Sequence, residues 1–202
     1  MINHYLSTNR INEVISSLEV VIDNFNHIKV DKNRWKWIVI ATHNSLQNIM
    51  VEALWFSNGF RAMTKESVNK WMKVHQEESD NKKYPALKLA NFPELYKRIC
   101  DKDTMDGYIH SKAFTAEQRH NHSIYTLNKI RNIFIHFELT SWSLNINDIP
   151  NIITDCIDVL KFLVHNSNNI LIENPQDKDR LNKSIDELIY ITHEINNDIC
   201  GT

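Results

Sequence analysis

The sequence predicts an all-α protein, folded as one helical bundle of about six helices over residues 1–202. The chain is long enough for one sizeable domain and marginal for two. It contains only 3 Gly and 4 Pro, whereas a sheet protein of this length needs many tight turns. Apolar residues also recur at helical spacing along most of the chain.

Amphipathic periodicity and local boundary residues place the individual helices. The Asn58-Gly59 pair ends the second helix, because Gly readily takes a left-handed cap conformation. Thr64 is a typical N-cap for the third helix, while Asp148 and Pro150 mark the start of the sixth. Besides the helix described in the next paragraph, helices are predicted over about residues 9–25, 32–56, 93–100, 150–163 and 177–197. One more begins at 64 and ends in the polar loop at 77–83.

One further helix carries the most informative residues. The Thr115-x-x-Gln118 sequence predicts a capping box, in which each side chain binds the other residue's free amide. The helix is expected to continue to about His136 or Glu138.

Charge and cysteine content narrow the class of protein. The net charge of −2 gives no global basic field for nucleic acid, although a local basic site is compatible with it. Cys100, Cys156 and Cys200 lie far apart and predict no disulfide framework, as in a reducing cytosol. No apolar run is long enough to span a bilayer, and the first residues do not resemble a signal peptide. We therefore expect a soluble, cytoplasmic protein without a membrane partner.

Arg131, Asn132 and His136 form the candidate catalytic group. Successive helical residues turn by about 100°, so Asn132 and His136 lie on one face, and the long side chain of Arg131 can reach His136 from its edge. Histidine transfers protons near neutral pH, and arginine binds a phosphate and stabilises the added negative charge of its transition state. Asparagine can orient the histidine ring or a phosphate oxygen by hydrogen bonding. RNA carries a 2′-hydroxyl beside each phosphate, so these groups suffice for cleavage without a metal.

The chemistry needs both an acid and a base, but one copy of this site holds one histidine. A two-fold dimer that brings two such helices together would supply the second. A structural explanation remains open, because Lys129, Arg131 and His136 occupy the last turns of a helix, where cations offset the negative end of the dipole.

The segment Arg131-Asn132 followed by Phe134-Ile135-His136 resembles the RNxxxH motif of HEPN domains. The residues after this segment and the helix that begins at Pro150 also resemble those of HEPN domains. The segment 42–54 resembles the first core helix of that family. The resemblance covers about residues 31–165. It implies a dimeric helical bundle in which two motifs face each other. Many such proteins are metal-independent endoribonucleases of toxin–antitoxin, phage-defence and stress systems, and others are non-catalytic modules that bind nucleotides or proteins.

By this resemblance His136 is the acid and base, Arg131 stabilises phosphate charge, and Asn132 positions His136 or the RNA substrate. The implied partners are a second copy of the chain, RNA, and an antitoxin or regulatory protein. The chain departs from one subgroup, in which a tyrosine two residues after the histidine is modified by a nucleotidyltransferase. Glu138 stands at that position here, so the sequence does not predict that regulation.

Other polar residues of the same helix are weaker candidates. Arg119, His120 and Lys129 would add positive charge for substrate binding, with a solvated helix face as the alternative. His120 and His122 point about 200° apart on a helix, so we expect no metal and no cofactor.

Two further groups are expected to be structural. His43 lies near the apolar stripe of the second helix and is predicted to be a core or interface residue. The tryptophans at helical positions, expected in the core rather than as platforms for bases, are Trp35, Trp55 and Trp71.

Overall fold

The computed structural model describes residues 5–77, 83–136 and 143–200, and it confirms an all-helical bundle. Phe137, Glu138, Trp142 and most of the predicted polar loop lie outside these residues. Across the described part of the chain the α-helices are α1 (Arg10–His27), α2 (Arg34–Trp55), α3 (Lys65–Gln76), α4 (Phe92–Ile99), α5 (Lys102–Met105), α6 (Gln118–Ile135), α7 (Ile149–His165) and α8 (Pro175–Cys200).

Helix α2 is the centre of the bundle. It packs along α1 and also contacts α4, α6 and α7, while α8 lies against α1 and α7. Leu46, Ile49 and Met50 of α2 are fully buried, as is Leu127 of α6. Burial of such side chains is the main favourable term in folding, and it fixes α6 against α2. None of the described helices combines the length and apolar character needed to cross a bilayer.

Most long helices begin and end close to the predicted residues. The Thr64 side chain accepts a hydrogen bond from the Ser67 backbone N–H, as expected of an N-cap. Gly59 has a φ of 71°, which confirms the left-handed conformation predicted after α2.

Three details differ from the predictions. The capping box of α6 pairs Glu117 with His120, not Thr115 with Gln118, because the backbone N–H of Glu117 donates to His120 Nδ1 at 3.0 Å. The helix ends at Ile135, and His136 is its C-cap residue. The described chain holds eight α-helices rather than about six; the one without a predicted counterpart is α5, which at four residues is too short to show a helical stripe.

Candidate functional site

Arg131 and Asn132 lie in the last turn of α6, beside a surface cleft of about 530 Å³. The cleft is bordered by α2, α6 and the start of α4. Its polar lining residues are His43, Gln47, Asn91, Asn128, Arg131 and Asn132. One guanidinium and four side-chain amides therefore face a single open space.

The Arg131 guanidinium borders the cleft and is bound to its neighbour in the motif. Its Nη1 donates to Asn132 Oδ1 at 3.1 Å, so the two motif residues are held together. Among the described residues, no carboxylate forms an ion pair with Arg131. An arginine without an acidic partner, at the edge of a cleft, is suited to bind phosphate.

His136 lies where α6 gives way to extended backbone. Its N–H donates to the Asn132 carbonyl at 2.9 Å, which closes the last helical turn, but its own φ and ψ are −94° and 111°. The side chain is exposed, and His136 is not among the described residues that line the cleft. The structure thus brings Arg131 and Asn132 together and presents His136 to solvent beside them in sequence.

His43 is buried, as expected, but it also borders the cleft. Its ring stacks on Phe92 with centroids 3.9 Å apart, and its Nε2 lies 3.2 Å from Asn128 Oδ1. Burial, reinforced by the positive charge of Arg131, lowers the pKa of His43 to about 4. The ring is therefore neutral at physiological pH. Nothing in the local sequence pairs His43 with a residue 85 positions later.

Arg119 and His120 belong to an ion-pair network rather than to the cleft. Arg119 Nη1 binds Asp155 at 2.5 Å and Asp158 at 2.9 Å, and its Nε binds Glu117 at 2.9 Å. His120 is only 3% exposed. These residues lie about 18 Å along α6 from the motif, at 1.5 Å per residue. We therefore assign Arg119 and His120 a structural role, while their part in substrate binding stays a prediction.

The same network brings together three groups with metal-ligating atoms. Atoms of His120, Asp155 and Asp158 lie within 4.8 Å of one another, a cluster that the sequence did not predict because α7 supplies the carboxylates. The Glu117 N–H donates to His120 Nδ1, so the neutral ring carries its proton on Nε2, the atom 3.7 Å from Asp158. A metal requires the opposite tautomer, and the Arg119 guanidinium already binds both carboxylates. The cluster does not fit a metal.

Replacing Asp155 by alanine is expected to lower the free energy of unfolding by about 2 kcal/mol. The buried Ser123 hydroxyl would lose the acceptor that it binds at 2.5 Å, and Arg119 would lose one of its carboxylates. Urea unfolding followed by circular dichroism measures the change. Asp158→Ala is the control, because that more exposed partner should cost less than about 1 kcal/mol. Equal costs would show that the Ser123 bond contributes nothing.

The exposed face of α6 continues the line of the motif. His122, Tyr125, Lys129 and His136 follow one another at intervals of three, four and seven residues, and all are exposed. Tyr125 is 68% exposed, and Ile135 near the helix end is 47% exposed. Lys129 thus lies on an open surface close to the motif.

No protein family, curated protein or solved structure matches this chain.

Proposed function

We propose that this protein is a metal-independent endoribonuclease whose active site combines Arg131, Asn132 and His136 of two copies of the chain. The observation that supports the proposal most directly is the Arg131 guanidinium. It borders an open cleft, is held by Asn132, and has no acidic partner among the described residues. Such a group binds the phosphate of RNA and the additional negative charge of the transition state.

In the proposed reaction His136 removes the proton from a 2′-hydroxyl. The 2′-oxygen forms a bond to the adjacent phosphorus, and the bond from phosphorus to the 5′-oxygen of the next nucleotide breaks. A protonated His136 from the second copy gives its proton to that leaving oxygen. The products are a 2′,3′-cyclic phosphate and a 5′-hydroxyl. Arg131 stabilises the pentacovalent phosphate, and all the charge stabilisation comes from side chains.

The proposal of a homodimer follows from the position of His136. One copy provides a single exposed imidazole at the end of α6, whereas the reaction uses an acid and a base. The exposed Tyr125, six residues before the motif, and the exposed Ile135 within it give this part of α6 apolar area that a second copy would cover. A two-fold axis near the end of α6 would place both histidines in one site.

The resemblance to HEPN domains supports the same assignment and suggests a biological setting. The all-helical bundle is the architecture that the resemblance implies. Within that setting we propose a cytoplasmic nuclease of a toxin–antitoxin, phage-defence or stress system. Such a nuclease is harmful to its own cell, so an antitoxin or regulatory protein is the partner expected to restrain it.

A non-catalytic binding module is the second candidate. The net charge of −2 favours it, because a ribonuclease generally gains affinity from basic surface. The neutralised Arg119 adds to this argument, since it removes one cation from the exposed surface of α6. In this case the cleft would hold a nucleotide or a partner protein without cleavage.

Incubation with cellular RNA in EDTA tests the proposal. Wild type should cut RNA without a metal and leave cyclic phosphate ends. The Arg131→Ala/His136→Ala double variant, purified in the same way, should leave the RNA intact, which excludes a contaminating nuclease. A folded wild-type dimer that binds RNA without cutting it would favour the binding module. A monomer that cuts RNA would contradict the shared site.

A further inference from the structure

We infer that the cleft beside Arg131 is a subsite for a phosphodiester that flanks the scissile one, built from side-chain amides whose oxygens are already bound inside the protein. This inference rests on the proposed ribonuclease function. It assigns roles to Asn91 and Asn128, which contact the phosphate, and to His43, which positions Asn128. None of the three belongs to the RNxxxH motif.

Two of the amides have their oxygens occupied by neighbours in the chain. Asn91 Oδ1 accepts the backbone N–H of Glu94 at 2.9 Å, as the N-cap of α4. Asn132 Oδ1 accepts from Arg131 Nη1 at 3.1 Å. An amide whose oxygen is bound in this way has only its N–H groups left to offer a ligand.

Asn128 is arranged in the same way by His43. Its Oδ1 lies 3.2 Å from His43 Nε2, and an amide oxygen only accepts, so Nε2 donates. The stack on Phe92 fixes the orientation of the imidazole ring. His43 is only 4% exposed, so the ring does not itself reach a ligand. The depressed pKa of His43 keeps the ring neutral, with a single N–H that is directed to Asn128. His43 is therefore a positioning residue.

Asn128 and Asn132 lie four residues apart in α6, so their side chains project from the same face. Asn91 closes the cleft from the start of α4, where the positive end of the helix dipole also favours an anion. Among the described residues, no acceptor binds the Nδ2 groups of Asn91, Asn128 and Asn132. Together with Arg131 they form a set of donors on the α4 and α6 sides of the cleft. Gln47 of α2 also lines the cleft, and its amide can turn either its N–H groups or its oxygen towards a ligand.

Such a set of donors favours a ligand with acceptor oxygens. A phosphodiester has such oxygens and carries one negative charge, which is attracted by the Arg131 guanidinium even when that group contacts the neighbouring, scissile phosphate. Cations find no free amide oxygen at these three positions. Because Arg131 and Asn132 are already assigned to the scissile phosphate, Asn91 and Asn128 would contact the next phosphate along the RNA backbone.

Binding of a fluorescein-labelled 2′-O-methyl oligonucleotide, followed by anisotropy at fixed low salt, tests the subsite. This probe keeps the phosphates but lacks the attacking hydroxyl, so it is not cleaved. Asn128→Asp and Asn91→Asp replace N–H donors by a negative oxygen, and each should weaken binding at least about tenfold. Aspartate caps a helix as well as asparagine, so Asn91→Asp should keep its melting temperature. Gln118→Glu adds the same charge to the exposed start of α6, about 15 Å from Asn128, and should bind as wild type does.

His43 is tested through rescue by a conservative variant. His43→Leu should weaken binding about as much as Asn128→Ala, since both remove the ordered donor. His43→Gln can still donate to Asn128 and should restore binding. If His43 were only structural, the affinity would not depend on whether residue 43 can donate a hydrogen bond. Wild type that cleaves and binds, with unchanged affinity in both aspartate variants, would overturn the subsite and leave the ribonuclease intact. Wild type that neither binds nor cleaves RNA would overturn both.

Discussion

His136→Ala is expected to lower kcat for RNA cleavage by about 10²- to 10⁴-fold, the usual contribution of a general acid or base. The side chain is exposed at the C-cap of α6, so its removal leaves no buried cavity and should not change the melting temperature. Single-turnover cleavage of a short RNA, with the enzyme in excess, measures the chemical step directly. Affinity for the uncleavable probe should change little, because the probe lacks the proton that His136 is proposed to remove.

His122→Ala is the matched control for this variant. His122 is an exposed histidine on the same helix, but fourteen residues earlier in the chain and outside the cleft. Its replacement should leave cleavage unchanged. If His136→Ala retained full activity, the proton-transfer role of His136 would be wrong, and if both variants lost activity, the effect would concern the helix surface rather than the site.

Acidification is expected to destabilise the protein through His43. The unfolded chain takes up a proton near pH 6.5, whereas folded His43 does so only near pH 4. Between these values the unfolded state binds more protons, so the free energy of unfolding falls as the pH drops. The free energy of unfolding lost through His43 approaches about 3 kcal/mol by pH 4, and no such loss occurs above pH 6.5.

Urea unfolding of wild type and His43→Gln at a series of pH values isolates this contribution. The glutamine side chain has no proton to gain, so the difference in stability between the two proteins should vary with pH only in that window. The matched control is His122→Gln, which replaces an exposed histidine. A His43→Gln protein with the same pH profile as wild type would show that His43 is not buried in its neutral form.

Features that depend on neighbours in sequence were predictable from the chain. The long helices follow from apolar periodicity, and so does the place of Arg131 and Asn132 in the last turn of α6, although the hydrogen bond between their side chains does not. The four-residue helix α5 was not predictable, because one turn has no periodicity. Its boundary is set by Asp101, whose side chain accepts the backbone N–H of Thr104 at 2.8 Å.

Features that join distant segments could not be read from one sequence. The cleft depends on His43 from α2 and Asn91 from α4, which meet α6 only after the bundle has packed. The capping box shifted by two residues because the buried His120 replaces the expected glutamine as the partner of the N-cap backbone. A sequence pattern shows which residue types suit a cap, but tertiary burial decides which of them is used.

The two ends of α6 differ in how firmly they are fixed. The first turn is held by the Glu117–His120 box and, through Arg119, by carboxylates of α7. Within the described residues, the last turn is capped by the backbone bond from His136 to Asn132 and holds the Arg131–Asn132 side-chain bond, with no ion pair. Local opening of this helix should therefore start at the motif, where no ion pair among the described residues has to break. A second copy or an RNA that binds there would reduce this fraying, so that part of its binding energy is used to order the site.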